Sequence, residues 1–186
     1  MKFTLGNKTS DELDIILRNT PKPLQGGLDS SMINIAGKPG GYDFGADLKP
    51  LTFQLNCEFS GTSEANLQSK VRSLADHLFN DKGEPVTHQL SFSDEPDKFW
   101  RVRYGSKRGQ LINRMVGGKV GRFKLILVAE DPLAHEVEEV DTKTITVDGG
   151  SIEIENSGNV ETPVRMVITN TGDTTIDGFT IRREVS

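Results

Sequence analysis

The residues of this sequence that could do chemistry are few. The segment Gly117-Gly118-Lys119-Val120 resembles the end of a phosphate-binding loop, in which backbone amides and a lysine hold phosphate groups. The full GxxxxGK[ST] spacing fails, because Asn113 stands at the first glycine position and Val120 replaces the hydroxyl residue that would bind magnesium. The segment therefore predicts a hairpin turn.

Candidate metal ligands are scattered along the chain. His77, His88 and His135 have no cysteine partner at metal-ligand spacing, which argues against a zinc site. The acidic segment Ser93–Asp97 could bind a cation, although a solvated turn explains it as well. There is no G-x-S-x-G nucleophile motif either. The sequence thus predicts a protein that is not an enzyme and has no cofactor and no metal.

The charges of the chain are segregated. Nine basic residues and no acidic ones lie between Lys98 and Lys124, whereas thirteen acidic and four basic residues follow from Glu130 onward. Such asymmetry suggests an electrostatic contact, either with nucleic acid or with an acidic surface of a partner subunit. Strands that carry arginine beside an aromatic residue can bind single-stranded nucleic acid, so both interpretations stay open.

Composition points to a β-rich protein. The 186 residues include 19 glycines and a hydrophobic fraction of 34%, which is typical of a chain with many turns. No apolar run approaches the roughly 20 residues of a membrane helix, and Met1–Gly6 lacks the core of a signal peptide. The sequence predicts a soluble protein made in a cytoplasm, without a membrane partner. The single Cys57 is expected to be a small buried side chain.

One strand and one helix organise the chain. Leu51–Phe59 alternates apolar and polar residues, which predicts a strand with one dry face. Apolar residues then recur at helical spacing over Ser63–Phe79, with Thr62 or Ser63 as the N-cap and Gly83 as the left-handed residue past the end. We expect the helix to cover the sheet that contains the strand.

Further strands are predicted on either side, and a Gly- and Pro-rich loop is predicted at Ala36–Gly45. Ile33 and Ile35 are expected on the buried side of their strand. A turn is expected at Ser93–Asp97, and an acidic connector at His135–Asp141. The predicted strands are Lys2–Leu5, Ser31–Ala36, Val86–Phe92, Phe99–Tyr104, Gln110–Val116, Gly121–Ala129 and, beyond the connector, the short runs Thr144–Val147, Ser151–Glu155, Val164–Thr169 and Thr175–Ile181.

Four segments in order resemble the distal tail protein (Dit) family of long-tailed bacteriophages and prophages. Ile33–Gly45 resembles the Gly-rich loop of the family, and Ser63–Phe79 resembles its single helix. Leu90–Trp100 is similar to its strand, acidic turn and aromatic strand. Phe123–Ala134 is similar to its closing strand with an Asp-Pro-x-Ala ending. The order of the four pieces, more than any one of them, carries the resemblance.

The resemblance implies a mainly β protein with one helix (α+β), whose N-terminal domain is a tail-tube-like β-sandwich or barrel. It implies a ring domain at residues 1–135, an acidic connector at 136–149, and at 150–186 the opening strands of a second β domain. The family forms homo-hexameric rings that act as the hub of the baseplate. The implied location is the virion tail tip, after synthesis in the bacterial cytoplasm. The implied partners are the tail tube and the tail-tip proteins. The only nucleic acid implied is the genome that passes through the ring.

The ring and the charge segregation together suggest a subunit interface. Basic Arg108, Arg114 and Lys119 of one copy would face acidic Glu138 and Glu139 of the next. The alternative function is a nucleic-acid-binding β module that uses the basic stretch Lys98–Lys124. A weaker alternative is a carbohydrate-binding module in the C-terminal strands.

Overall fold

A computed structural model describes residues 2–106, 119–136, 144, 166–175 and 178, and the backbone alone of residues 113–115. The chain divides into two compact units, Met1–Glu139 and Val140–Ser186. No helix of the described residues is long and apolar enough to cross a membrane. The elements of the first unit are β1 (Phe3–Leu5), β2 (Lys8–Thr9), β3 (Ile15–Leu17), β4 (Leu28–Asn34), β5 (Gly41–Leu48), β6 (Leu51–Ser60), α1 (Glu64–Leu78), β7 (His88–Phe92), β8 (Glu95–Tyr104), β9 (Asn113–Met115), β10 (Val120–Ala129) and β11 (His135–Glu136).

An antiparallel sheet of nine strands forms the body of the first unit. Its order is β2-β1-β7-β8-β10-β6-β3, with β9 beside β10 and β11 beside β8, and it curls into a half-barrel. β4 and β5 form a separate two-stranded sheet. The prediction of a mainly β fold with one helix is confirmed over the described residues.

The long ladder between β6 and β10 is the centre of this sheet. Ten residues of each strand are paired, from Leu51 opposite Ala129 to Ser60 opposite Val120. Alternation places every second side chain of both strands on the inner face, and these side chains are buried as the pattern of Leu51–Phe59 predicts. The inner face therefore supplies most of the core.

Helix α1 packs its apolar stripe against that core. Ser63 caps the helix, because its Oγ accepts a hydrogen bond from the Asn66 N–H at 3.1 Å. Leu67, Leu74 and Leu78 are buried in the same cluster as the side chains of β6 and β10. The predicted helix and its place on the sheet are confirmed.

Between Ser31 and Gly45 the predicted strand at Ser31–Ala36 is confirmed in part by β4, and the predicted loop is present at residues 36–40, but the expected burial and the second half of the loop were wrong. Ile33 and Ile35 are about half exposed, whereas burial was expected. Much of the expected Gly-rich loop is strand β5, which pairs with β4. The glycines are compatible with a strand because Gly45, at φ +94°, lies where the register of the pair shifts and absorbs the irregularity.

The other differences from the predictions concern the residues at which helices and strands begin or end. Gly83 is left-handed, as predicted, at φ +76°. α1 already ends at Leu78 and Phe79 is extended, so Gly83 lies in the following turn and not at the helix cap. In the acidic segment only Ser93 and Asp94 form a turn, because Glu95 already pairs with Phe92 as the first residue of β8.

The start of the predicted acidic connector also differs. His135 and Glu136 form β11 by pairing with Phe99 and Lys98 of β8. β7 begins at His88, two residues later than expected. Of the predicted strand Gln110–Val116, the described backbone of residues 113–115 forms β9 beside β10.

In the second unit the described residues 166–175 are exposed and form neither helix nor strand. The strands predicted at Val164–Thr169 and Thr175–Ile181 are absent over the described positions 166–169, 175 and 178. Met166, Val167 and Ile168 are 53%, 74% and 54% exposed. The other C-terminal predictions lie outside the described residues, apart from residue 144, which is not in a strand.

Candidate functional site

The hairpin of β4 and β5, residues Leu28–Leu48, is called the arm below. Every residue of its two strands is exposed, although a two-stranded hairpin by itself is only marginally stable in water. Several of its large apolar side chains are about half exposed or more: Phe44 67%, Met32 59%, Leu28 56%, Ile33 54%, Tyr42 47% and Leu48 47%. Exposed apolar side chains concentrated on one element in this way mark an interaction site.

Cross-strand pairing places the apolar side chains of the arm in two groups. Ile33 is opposite Tyr42, so both lie on one face, and Phe44, two residues beyond Tyr42, continues that face. Leu28 is opposite Leu48 near the base of the arm. The tip of the arm thus presents an apolar face of Ile33, Tyr42 and Phe44.

The base of the arm is fixed to the body of the unit. A Cβ at Gly26 would lie 2.2 Å from the carbonyl oxygen of Lys49 and 3.0 Å from the Cβ of Pro132, so only glycine fits there. The Lys49 N–H donates to the Gly27 carbonyl at 2.7 Å. Lys49 Nζ also lies 3.1 Å from Asp29 Oδ2. Among the described residues, these contacts fix the base of the arm to the body of the unit.

One edge of the main sheet is incompletely paired. β3 covers β6 only at Cys57, Glu58 and Phe59. Beyond them the Arg18 N–H donates to the Asn56 carbonyl at 2.8 Å, and the Asn56 N–H donates to Thr20 Oγ1 at 2.9 Å. No described strand pairs with this side of Leu51–Leu55, which is called the open edge below.

The outward face of the sheet near this edge is positively charged. Glu58, 5% exposed, accepts from Arg18 Nε at 3.3 Å and from Arg122 Nε at 2.7 Å. Hydrogen bonds from Arg18 and then Arg122 lower the pKa of Glu58. Lys124, opposite Asn56, is a further cation on this face, so these four side chains sum to a charge of about +2.

The basic stretch is partly neutralised within the chain. Lys98 lies 3.8 Å from Glu95, Arg103 pairs with Glu130, and Arg122 pairs with Glu58. Phosphate binding depends on free lysines and arginines that can displace counterions. Pairing of these three residues argues against a nucleic-acid site here.

The acidic segment Ser93–Asp97 has an internal partner. Lys22 Nζ lies 2.7 Å from Asp94 Oδ2, 3.0 Å from Glu95 Oε2 and 4.7 Å from the centre of the Phe92 ring. The hydrogen bond from Lys22 lowers the pKa of Asp94. The segment thus anchors the chain between β3 and the arm, and no group of three or more metal-ligating side chains occurs among the described residues.

Most of the predicted interface residues cannot be placed. Arg108, Glu138 and Glu139 lie outside the described residues, and for Arg114 only the backbone, in β9 opposite Gly121, is described. Lys119 is exposed, and its carbonyl accepts from the Gly61 N–H at 2.7 Å. The interface of Arg108, Arg114 and Lys119 with Glu138 and Glu139 stays a prediction.

Comparison with known proteins decides the family. A model of the phage tail protein RIFT-related domain family matches residues 11–129. The chain belongs to this family. The match spans β3 to β10, and therefore includes the arm, α1 and the open edge of this phage tail protein. A search of the curated proteins finds no match.

A solved structure shares the fold of this phage tail protein. It is the Dit protein (gp 19.1) of SPP1, described as a paradigm of the hub adsorption apparatus in phages that infect Gram-positive bacteria. The TM-score is 0.60 and the identity 18%, over 73% of this chain and 52% of that chain. This chain thus spans about half of that structure. Family and fold together confirm the resemblance to distal tail proteins.

The sequence of the arm contains an alternation that is typical of a strand, although its glycines favoured the prediction of a loop. Tyr42 and Phe44 alternate with Asp43, a period of two that is typical of a strand. The sequence did not indicate that these side chains are exposed, because a strand that packs on the core of its own chain has the same alternation. The charged pair of Arg18 and Glu58 was also missed, since the two are separated by 40 positions.

Proposed function

We propose that this phage tail protein forms a ring of six copies that serves as the hub of the baseplate and joins the tail tube to the adsorption apparatus. Family membership and the fold shared with the SPP1 Dit protein support this role. The protein would act at the tail tip through its shape, pass the genome through the ring, and catalyse no reaction. Its partners would be other copies of itself, the tail tube and the tail-tip proteins.

The exposed arm is the observation that carries the proposal. Burying the side chain of Ile33, Tyr42 or Phe44 against a partner gains about 1.5–3 kcal/mol each. A single copy leaves these side chains exposed, and the described contacts of the arm with the body of the unit lie at its base. An arm that reaches out of its own unit favours contacts between two different surfaces, and such contacts close into rings when the rotation permits.

Sedimentation velocity over a range of concentrations tests the ring. We expect the wild type to pass from monomer to hexamer as concentration rises, and electron microscopy to show six-membered rings. The double variant Tyr42→Ser with Phe44→Ser is expected to need at least tenfold more protein to assemble, since 1.4 kcal/mol corresponds to a factor of ten. The melting temperature of the monomeric double variant should stay close to that of the wild-type monomer.

Leu24→Ser is the matched control, because Leu24 is 98% exposed and lies outside the arm. It removes a similar apolar side chain from the surface, and it should assemble as the wild type does. A wild type that stays monomeric at the highest concentration would contradict the ring. An arm variant that assembles normally would contradict the role of the arm.

The charged interface predicted from the sequence needs a separate variant. Changing Arg108, Arg114 and Lys119 to glutamate reverses three charges of the basic stretch. If these residues face Glu138 and Glu139 of the next copy, the variant should assemble more slowly, and the difference from wild type should shrink at high salt. Unchanged assembly would remove these residues from the interface.

A further inference from the structure

We infer that the outward face of the sheet holds a binding site for a phosphate group, either as the free ion or as a phosphate monoester. The site is an open groove at β6, β10 and the end of β3, and it is lined by the cationic side chains of Arg18, Arg122 and Lys124, with Asn56 between them. This inference goes beyond the proposed ring and does not depend on it, because all of these residues belong to one chain.

The register of the sheet brings the three cations together. Arg122 lies opposite Glu58, and Lys124 lies opposite Asn56, in the ladder of β6 and β10. On the other side of β6, the Arg18 N–H donates to the Asn56 carbonyl at 2.8 Å, so Arg18 continues the pairing of β3. Neighbouring strands are about 4.8 Å apart, which places the backbones of Arg18 and Lys124 roughly 10 Å from each other across Asn56. Two long side chains can close this distance on a single ion.

The side chains of the three cations lie on the outward face of the sheet. Arg122 and Lys124 flank Phe123, which is 7% exposed and belongs to the core, so alternation directs both basic side chains outward. Arg18 reaches the same face, because its Nε lies 3.3 Å from Glu58 Oε2. The side chains of Arg18 and Arg122 are both 54% exposed, so an ion from solvent has access to them.

One buried carboxylate orients the two arginines and leaves the groove open. Glu58 is 5% exposed and accepts from Arg122 Nε at 2.7 Å as well as from Arg18. It offsets one of the two guanidinium charges, and no acidic side chain of the described residues lines the groove. The described contacts leave both Nη groups of Arg122 and the ammonium group of Lys124 without a partner, so these donors are available to a ligand.

Charge and donor geometry favour a phosphate group over a carboxylate. Three cations and one carboxylate sum to about +2, which is close in size to the charge of about −1.5 to −2 that a phosphate monoester carries near pH 7. A carboxylate offers two oxygens in one plane, whereas a phosphate offers three strong acceptor oxygens. Those three oxygens can accept from Arg18, Arg122 and Lys124 at the same time, and hydrogen bonds between charged groups are about twice as strong as neutral ones.

A discrete phosphate group fits the surroundings better than a nucleic-acid backbone does. A backbone is bound along a track of free cations, because each phosphate that is neutralised releases counterions. The nearest basic residue described on the neighbouring strand β8 is Arg103, which is already paired with Glu130. The groove therefore offers one cluster of cations and no described continuation of it along β8.

Calorimetric titration with inorganic phosphate is the direct test. Sodium chloride of equal ionic strength serves as the blank, so that general screening is subtracted. Lys124→Gln removes one cation and leaves the contact of Arg18 with Glu58 intact, and we expect it to raise the dissociation constant at least tenfold. Lys82→Gln is the matched control, because it removes the same charge from an exposed lysine in the turn after α1. It should bind phosphate as the wild type does.

Two further probes distinguish the source of the phosphate group. Glycerol 3-phosphate carries a monoester, and a thymidine oligonucleotide without terminal phosphates carries only diesters. A monoester that binds at least as tightly as inorganic phosphate indicates a group delivered on a larger molecule, and weaker binding indicates the free ion. Both results support the site when Lys124→Gln weakens the binding. An oligonucleotide that binds more tightly than either probe would overturn the inference in favour of a nucleic-acid surface.

Two results of the titration would overturn the site itself. One is wild-type protein that gives no more heat with phosphate than with chloride, and the other is equal affinity of the wild type and Lys124→Gln. If Lys124→Gln lowers the melting temperature without phosphate, the decision rests on amide chemical shifts of the wild type. Phosphate should move the amide signals of Asn56 and Lys124 and leave those of Leu67 and Leu74 in α1 unchanged. Shifts of similar size in both pairs would overturn the placement of the site.

Discussion

The imidazole rings of His77 and His88 stack with their centres 4.5 Å apart and their planes 24° from parallel. His77 Nε2 lies 2.9 Å from the Leu5 carbonyl oxygen, and His88 Nε2 lies 2.8 Å from the His77 carbonyl oxygen. Carbonyl oxygens only accept, so each Nε2 donates. The stack therefore ties the last turn of α1 to both β1 and β7.

Stability is expected to fall as the pH drops below about 6.5, because His88 is partly buried. Burial, and secondarily the charge of His77, lowers the pKa of His88 from its ordinary value of 6.5. The unfolded chain then binds a proton more readily than the folded chain. The contribution of His88 to stability is therefore fully present above pH 6.5 and is lost as the pH falls through the pKa of the folded state.

Melting temperatures measured from pH 7.5 to 5 test this loss of stability. His88→Gln should lower the melting temperature at pH 7.5 and flatten its dependence on pH, and an unchanged pH dependence would contradict this assignment.

The buried carboxylate of Glu58 should stabilise the fold more than an exposed one does. Glu58→Gln weakens charge-assisted bonds to Arg18 and Arg122, and we expect a loss of about 1–2 kcal/mol in the free energy of unfolding. Glu130→Gln is the control, since Glu130 and its partner Arg103 have 70% and 53% exposed side chains, and exposed pairs contribute at most about 1 kcal/mol. Urea unfolding compares the two. Equal losses would show that the burial of Glu58 has no energetic consequence.

The packing of α1 on the sheet predicts that a buried and an exposed side chain of this helix contribute differently to stability. Leu74 is 7% exposed and belongs to the core, so Leu74→Ala should cost about 2–5 kcal/mol through lost contacts and a cavity. Arg72 is exposed on the same helix, and Arg72→Ala should change stability by less than about 0.5 kcal/mol. Urea unfolding of both variants checks the placement. Similar losses would contradict it.

The base of the arm depends on Gly26. A Cβ there would meet the Lys49 carbonyl oxygen at 2.2 Å, and backbone cannot give way as a flexible side chain can. We expect Gly26→Ala to destabilise the unit by about 1–3 kcal/mol. At the neighbouring Gly27, a Cβ would lie 3.9 Å from the Lys49 Cβ, an ordinary contact, so Gly27→Ala is the control. Limited proteolysis should cut the arm of Gly26→Ala faster than that of Gly27→Ala.

Local patterns in the sequence determined the main elements of this protein. The period of two in Leu51–Phe59 and the helical spacing from Leu67 to Leu78 each describe one buried face, and burial of that face is where an amphipathic element gains most of its stability. Both predictions needed only residues that are neighbours along the chain. For the same reason, the strand predicted at Gly121–Ala129 is found as β10.

Relationships between distant segments were decided only by the tertiary structure. Tyr42 and Phe44 have the alternation of a core strand, yet they are exposed, because β5 pairs with β4 in a separate two-stranded sheet and the described contacts with the body of the unit lie at the base of the arm. The open edge exists because β3 pairs with only three residues of β6, and no other described strand pairs with that side of Leu51–Leu55. Which face of a strand is covered, and where its edge stays unpaired, depends on how segments pack in space, and a pattern within one segment has no information about its neighbours.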